Sequence, residues 1–258
     1  MKKTILNFMT TMIVAMIVST CSKGKEQGGE LRNALVVLQD ESSSVQKNDD
    51  TQISTQKLFL KKYLNQHFKA QTDILILKVN SFSGASTNHE VIPYNLPITD
   101  SETYSESEEL LQESAQQQEE FQQKIKMEKK LFKILFSDKV QPSSQTAILE
   151  VLTQFERLTK PYNSVEIIFL SDMMQESSMR NFSKNLPEGK QQAENFANED
   201  SKKLQIHFSL PDKTFQKVQR ITVLVPSGND SKMVNLPHYW EKLFQNFGFR
   251  DTVEWNNK

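Results

Sequence analysis

The stretch ALVVLQDESSSV, Ala34 to Val45, runs five apolar residues and one glutamine straight into an acid and a cluster of serines. A short apolar run rich in β-branched residues, without polar alternation, is the pattern of a strand covered on both faces. Three further runs share it: ILILKV (74–79), VEIIFL (165–170) and ITVLV (221–225). Strands of this kind predict a mainly parallel sheet, because parallel neighbours need crossover connections and those crossovers lay helices on both faces.

The segments between the runs carry helical spacing. Leu60, Tyr63, Leu64, His67 and Phe68 fall on one helix face, as do Ile148, Val151, Leu152 and Phe155, and as do Trp240, Leu243, Phe244 and Phe247. Gly248 is placed to stop the last of these helices, and TVEW (252–255) predicts a short edge strand. The fold class expected is α/β: a doubly wound, mainly parallel central sheet with helices on both faces. A chain of 258 residues is long enough to bury such a core.

Charge excludes one broad class of function. With 31 basic and 32 acidic residues the formal net charge is −1, so no global field favours nucleic acid. Cys21 is the single cysteine, which rules out an intrachain disulfide. Residues 1–20 set two lysines before an apolar core from about Ile5 to Val18, the layout of a secretory signal. Val18-Ser19-Thr20-Cys21 resembles the bacterial lipobox, although Thr20 stands where a smaller residue is usual. That resemblance implies a lipidated Cys21, a polar tether over 21–30, and a lipid-anchored location in the cell envelope.

Two regions exceed a minimal domain. Between Lys78 and Lys124 there is no lysine or arginine. The second half of this segment, about 105–136, has the composition of a long helix that projects partly into solvent. Leu111, Ala115, Gln118, Gln122, Ile125, Lys129 and Phe132 follow heptad spacing along it. The other region, about 173–217, is polar and predicts a surface helix near Gln191 to Lys202. The domain expected is thus 31–250, with an acidic, long-helix insertion at about 97–136 and a tail over 251–258.

Asp40, Ser42 and Ser44 form D-x-S-x-S at the end of the first strand, where open α/β sheets place their ligands. One carboxylate and two neutral hydroxyls suit a hard cation that keeps several waters, since they leave its charge under-neutralised. Alone the motif is weak, because Asp followed by Ser is ordinary turn chemistry. Asp172 ends a second buried run, and Thr146 begins the amphipathic segment between the two.

With these pieces in this order the chain resembles the von Willebrand factor type A family over about residues 31–250. The resemblance implies a metal-ion-dependent adhesion site in which Asp40, Ser42, Ser44, Thr146 and Asp172 hold Mg²⁺ (or Mn²⁺ or Ca²⁺). Its open coordination position takes an acidic group from a protein partner. Departures are Gln145 where the family usually has glycine before the threonine, with Ser143 and Ser144 as alternative hydroxyls, and Met173-Met174 in place of a turn glycine after Asp172.

The function expected is an envelope-anchored binding module without turnover. The alternative is a metal-independent assembly component that presents the long helix to a partner. A metal-dependent hydrolase is a third class, for which no general base is evident. His67, His89, His207 and His238 show no ligand spacing, and no phosphate loop or nucleophile elbow is recognisable.

Overall fold

Every residue of the first strand from Ala34 to Asp40 is buried, and its side chains divide by parity between two cores. Ala34, Val36 and Leu38 enter one apolar cluster, whereas Leu35 and Val37 enter the other. This is the period of 2 expected when a strand lies between two helical layers, and it explains why the run carries no polar alternation. The computed structural model describes residues 32–43, 45, 50–68, 71–80, 89–94, 106–136, 143–226 and 234–257.

The elements are β1 Asn33–Asp40, α1 Asp50–His67, β2 Thr72–Val79, β3 His89–Ile92, α2 Glu106–Phe136, α3 Ile148–Leu152, α4 Phe155–Thr159, β4 Ser164–Leu170, α5 Lys190–Phe208, β5 Val218–Val225, α6 Leu236–Asn246 and β6 Glu254–Asn257. They build a six-stranded sheet in the order β3-β2-β1-β4-β5-β6. All neighbours are parallel except β2 and β3. Leu38 sits between Leu77 of β2 and Phe169 of β4, so β1 is central. The sheet is doubly wound, with α3 to α6 contributing to one core and α1 and α2 to the other. From β1 the chain passes outward to β2 on one side and later to β4 on the other. Such a reversal is where open α/β sheets place their ligands, beyond the carboxyl ends of the strands on either side, here β1 and β4.

The larger core is strongly aromatic. Trp240, Phe244 and Phe247 of the last helical segment are fully buried, and Phe155 stacks on Phe215 with ring centroids 4.8 Å apart. Gly248 ends that segment at φ +95°, and a Cβ there would stand 3.3 Å from the Asp212 carbonyl oxygen. This is the left-handed stop for which glycine is suited.

Three local expectations change. The face Ile148, Val151, Leu152, Phe155 is buried, but it spans two five-residue helices rather than one. At the break, the Thr153 hydroxyl donates to the Glu150 carbonyl at 2.6 Å and Gln154 N–H to the Val151 carbonyl at 3.0 Å. These bonds compete with continuation of the helix. On α2 the heptad register does not hold: Met127, Leu131 and Leu135 are buried, while Lys129 is exposed. A helix laid on a sheet buries a face of i, i+4 spacing, not a coiled-coil seam. The antiparallel edge strand β3 is half-exposed and has no run of apolar residues to announce it.

Candidate functional site

Asp40 is the last residue of β1 and is 1 % exposed. Its Oδ1 accepts the Ser42 backbone N–H at 2.8 Å, the local turn that aspartate makes two residues on. The same oxygen accepts the Thr146 hydroxyl at 3.4 Å. Its Oδ2 accepts the Ser171 hydroxyl at 2.6 Å. Three separate segments therefore meet on one carboxylate.

The backbone brings them there. Residues 42 and 143 form an isolated parallel bridge, with Ser43 N–H on the Ser143 carbonyl at 3.0 Å and Ser143 N–H on the Glu41 carbonyl at 2.7 Å. This short pairing places Thr146 above the end of β1. Thr146 is itself fully buried, and its carbonyl accepts Glu176 N–H at 2.7 Å. The Ser143 hydroxyl turns instead to the Gln145 carbonyl at 2.7 Å, so of the alternative hydroxyls it is Thr146 that faces Asp40.

The segment after β4 is held as firmly. Asp172, 3 % exposed, accepts Met174 N–H at 3.0 Å. Met173 adopts φ +62°, a left-handed conformation costing about 1–3 kcal/mol for a residue other than glycine. It is kept there by a buried side chain and by the Trp240 indole N–H, which donates to its carbonyl at 2.9 Å. The loop thus makes the turn that glycine would allow, at the expense of strain. Farther along, Arg180 grips the fully buried Asp200 of α5 at 2.7 Å, and Tyr239 of α6 donates to the same carboxylate at 2.9 Å.

The charge at this rim is poorly solvated. Burial, and after it the neighbouring Asp172, push the Asp40 carboxyl up to about 6 against the opposing hydrogen bonds from Ser171 and Ser42. Glu176 is also raised, by burial and then by Asp172. Glu41, next to Asp40 but pointing elsewhere, is paired with Lys78 at 3.2 Å and accepts from Asn80 at 2.9 Å.

The expected divalent-metal site is corrected by this arrangement. Among the described residues no group of three or more His, Cys, Asp or Glu side chains is placed to hold a metal ion. Both oxygens of Asp40 already accept hydrogen bonds from the protein, so the carboxylate that was to lead the coordination ties segments together instead. Mg²⁺, Mn²⁺ and Ca²⁺ therefore drop out as cofactors, and with them the metal bridge to an acidic group on a partner. Asp40, Ser42, Thr146 and Asp172 do gather at one rim. Ser44 lies outside the described residues, as do Cys21 and residues 1–30.

Two contributors escaped the reading of the sequence. Ser171 makes the shortest of the bonds to Asp40, and its only signal is its position as the first polar residue after β4. Gln175, fully buried, accepts Leu149 N–H of α3 at 3.0 Å and donates to Glu150 at 3.0 Å and to Ser177 at 2.7 Å. It satisfies a helix start that has no side-chain cap of its own. Nothing in the local sequence marks it.

No family profile matches the chain, and no curated protein matches it. Among solved structures, the chain is similar to proximal thread matrix protein 1 from the mussel byssus, in crystal form 2. That likeness has a TM-score of 0.35 at 11 % identity over 84 % of this chain and 46 % of the other. A second structure of that mussel protein, described as having a zinc-occupied MIDAS motif, gives a TM-score of 0.32 at 16 % identity over 80 % and 39 %. The chain spans less than half the length of these proteins.

Proposed function

We propose that the protein is a metal-independent assembly module, a rigid α/β scaffold that presents helix α2 to a protein partner. The observation that carries this reading is the uneven burial of α2. The helix has 31 residues, about 46 Å at 1.5 Å per residue. From Met127 onward it packs one face on the sheet, whereas no residue from Ser114 to Lys126 is buried. Phe121 stands 62 % exposed in the middle of that stretch.

In proteins most helical stability comes from packing an apolar face rather than from propensity. Here the docked third supports the rest, and an exposed aromatic on a rigid rod is the kind of group that anchors an interface. An envelope location belongs to the same proposal, supported by the apolar run of residues 5–18. Fractionation of cells expressing the full chain tests it.

A photo-crosslinking amino acid placed at position 121 in cells, compared with one at the exposed Lys184, is the main test. Capture of a protein at 121 and not at 184, unchanged by Asp40→Asn, is the expected result. Equal capture at both positions, or capture abolished by Asp40→Asn alone, overturns the reading.

A further inference from the structure

We infer that the partner presented with α2 is a second copy of this chain, which receives the helix in a basic, apolar-floored cleft on the opposite side of its own sheet. The inference rests on the reading of α2 above. The cleft lies between α4 and the segment that follows α5, and Phe208 and Leu210 form its apolar part while Arg157, Lys160 and Glu156 supply its charge. It is an open cleft of about 310 Å³, and an apolar cavity of about 150 Å³ already accepts a benzene ring.

Each half of the match is incomplete alone. Phe208 is 46 % exposed at the mouth of the cleft. Arg157 donates only to the neutral Gln154 side chain at 3.2 Å, and neither Arg157 nor Lys160 has an acidic partner among the described residues. On α2, Glu119 and Glu120 accept, among the described residues, from Gln123 and Gln116 of their own helix, both at 3.2 Å, and Phe121 follows them. Acid, acid, aromatic on the helix thus meets two cations and an aromatic floor in the cleft. From Glu106 to Gln123 α2 has no lysine or arginine, and Lys124 follows one turn after Glu120.

The fold prevents the two halves from meeting within one molecule. The docked third of α2 belongs to the core that contains Leu35, Val37 and Ile168. The floor of the cleft belongs to the other core, through Phe155, Leu158, Leu204 and Leu210. The sheet stands between them. Two compact bodies touch on one side at a time, so a helix on one side and its receptor on the other give a head-to-tail contact that leaves a free helix at one end and a free cleft at the other. The association is therefore open-ended, and because its charges lie near the surface it weakens as salt rises.

Sedimentation velocity of the full chain over a concentration series tests this with two charge-reversed variants, Arg157→Glu/Lys160→Glu and Glu119→Lys/Glu120→Lys. The wild type is expected to grow beyond a dimer as concentration rises. Each variant alone is expected to remain a monomer. An equimolar mixture of the two is expected to associate beyond a dimer again, because the intact helix of one meets the intact cleft of the other and the two reversed halves are once more opposite in charge. All sites are exposed except the partly exposed Glu120, and circular dichroism of each variant checks that it folds. A wild type that stays monomeric at every concentration overturns the inference, as does a variant that associates like the wild type. If the wild type is monomeric yet position 121 still captures another protein, the inference falls and the reading of α2 stands. If the wild type is monomeric but Arg157→Glu/Lys160→Glu abolishes binding to phosphatidylglycerol vesicles, the cleft serves a lipid surface and the inference also falls.

Discussion

The rim around Asp40 and the outer part of α2 are both marked by acids, and they differ in what those acids meet. At the rim Asp40, Thr146, Ser171 and Asp172 are each at most 3 % exposed, and Asp40 accepts from three segments of its own chain. On α2, Glu119 and Glu120 accept, among the described residues, from glutamines one turn away, beside a Phe121 that is 62 % exposed. Ligand-like residue types at a strand end thus serve here to close the molecule on itself. The groups available to another molecule sit on a helix that carries no recognisable motif.

The largest expected effect separates the two parts of α2. Leu131 is fully buried, and Leu131→Ala is expected to lower stability by about 2–5 kcal/mol through lost apolar contact and the cavity left behind. Chemical denaturation measures it; a loss below about 1 kcal/mol would mean that the helix does not dock through that face.

At the rim, the pH dependence of stability is the next test. Asp40 titrates near 6 in the folded protein against 3.8 ordinarily, so between those values the native state binds the extra proton. Stability therefore falls as pH rises from about 4 to about 6 and levels off above. The total is about 3 kcal/mol for this group at 1.36 kcal/mol per pH unit. Asp40→Asn retains an acceptor for Ser42 and Thr146 and removes the repulsion from Asp172. It is expected to be more stable than wild type at pH 7.5 and to lose this slope, leaving that of Glu176. Thermal melts of both proteins across the window measure it, and parallel curves would show that Asp40 is not strained by ionisation.

A smaller effect is expected from Ser171→Ala, which leaves Asp40 Oδ2 without its 2.6 Å donor and costs about 1–3 kcal/mol at pH 7.5. The loss should shrink near pH 4, where the carboxyl is protonated. A pH-independent loss would point to packing rather than to the hydrogen bond. Phe121→Ser, on the exposed part of α2, should change stability by no more than about 0.5 kcal/mol. Smallest of all, added Mg²⁺ or a chelator should leave the melting temperature unmoved. A rise that grows with Mg²⁺ concentration would be the mark of binding to the native state and would reopen the rim.

How much could be read in advance depended on the range of the interaction. The four apolar runs identify central strands because burial on both faces leaves no room for polar alternation. Gly248 signals its helix stop because few residues tolerate φ +95°. The break between α3 and α4 was hidden, since the same four residues are buried whether the helix continues or not. Met173 was misleading for a related reason: a methionine in a left-handed turn is held there by Trp240, 67 residues away.

Sequence by itself thus determined the alternating α/β order, the winding of the sheet and the presence of a long helix, because each follows from periodicity and composition over a few neighbouring residues. It could also name Asp40, Thr146 and Asp172 as residues bound for one rim. Only the tertiary structure decided what that meeting does. Whether a carboxylate holds an ion or holds its own chain depends on which donors reach its oxygens first, and those donors, Thr146 and Ser171, lie 106 and 131 residues along the chain. The same is true of α2: its composition makes it helical, but only packing against the sheet separates the part that is covered from the part left facing outward.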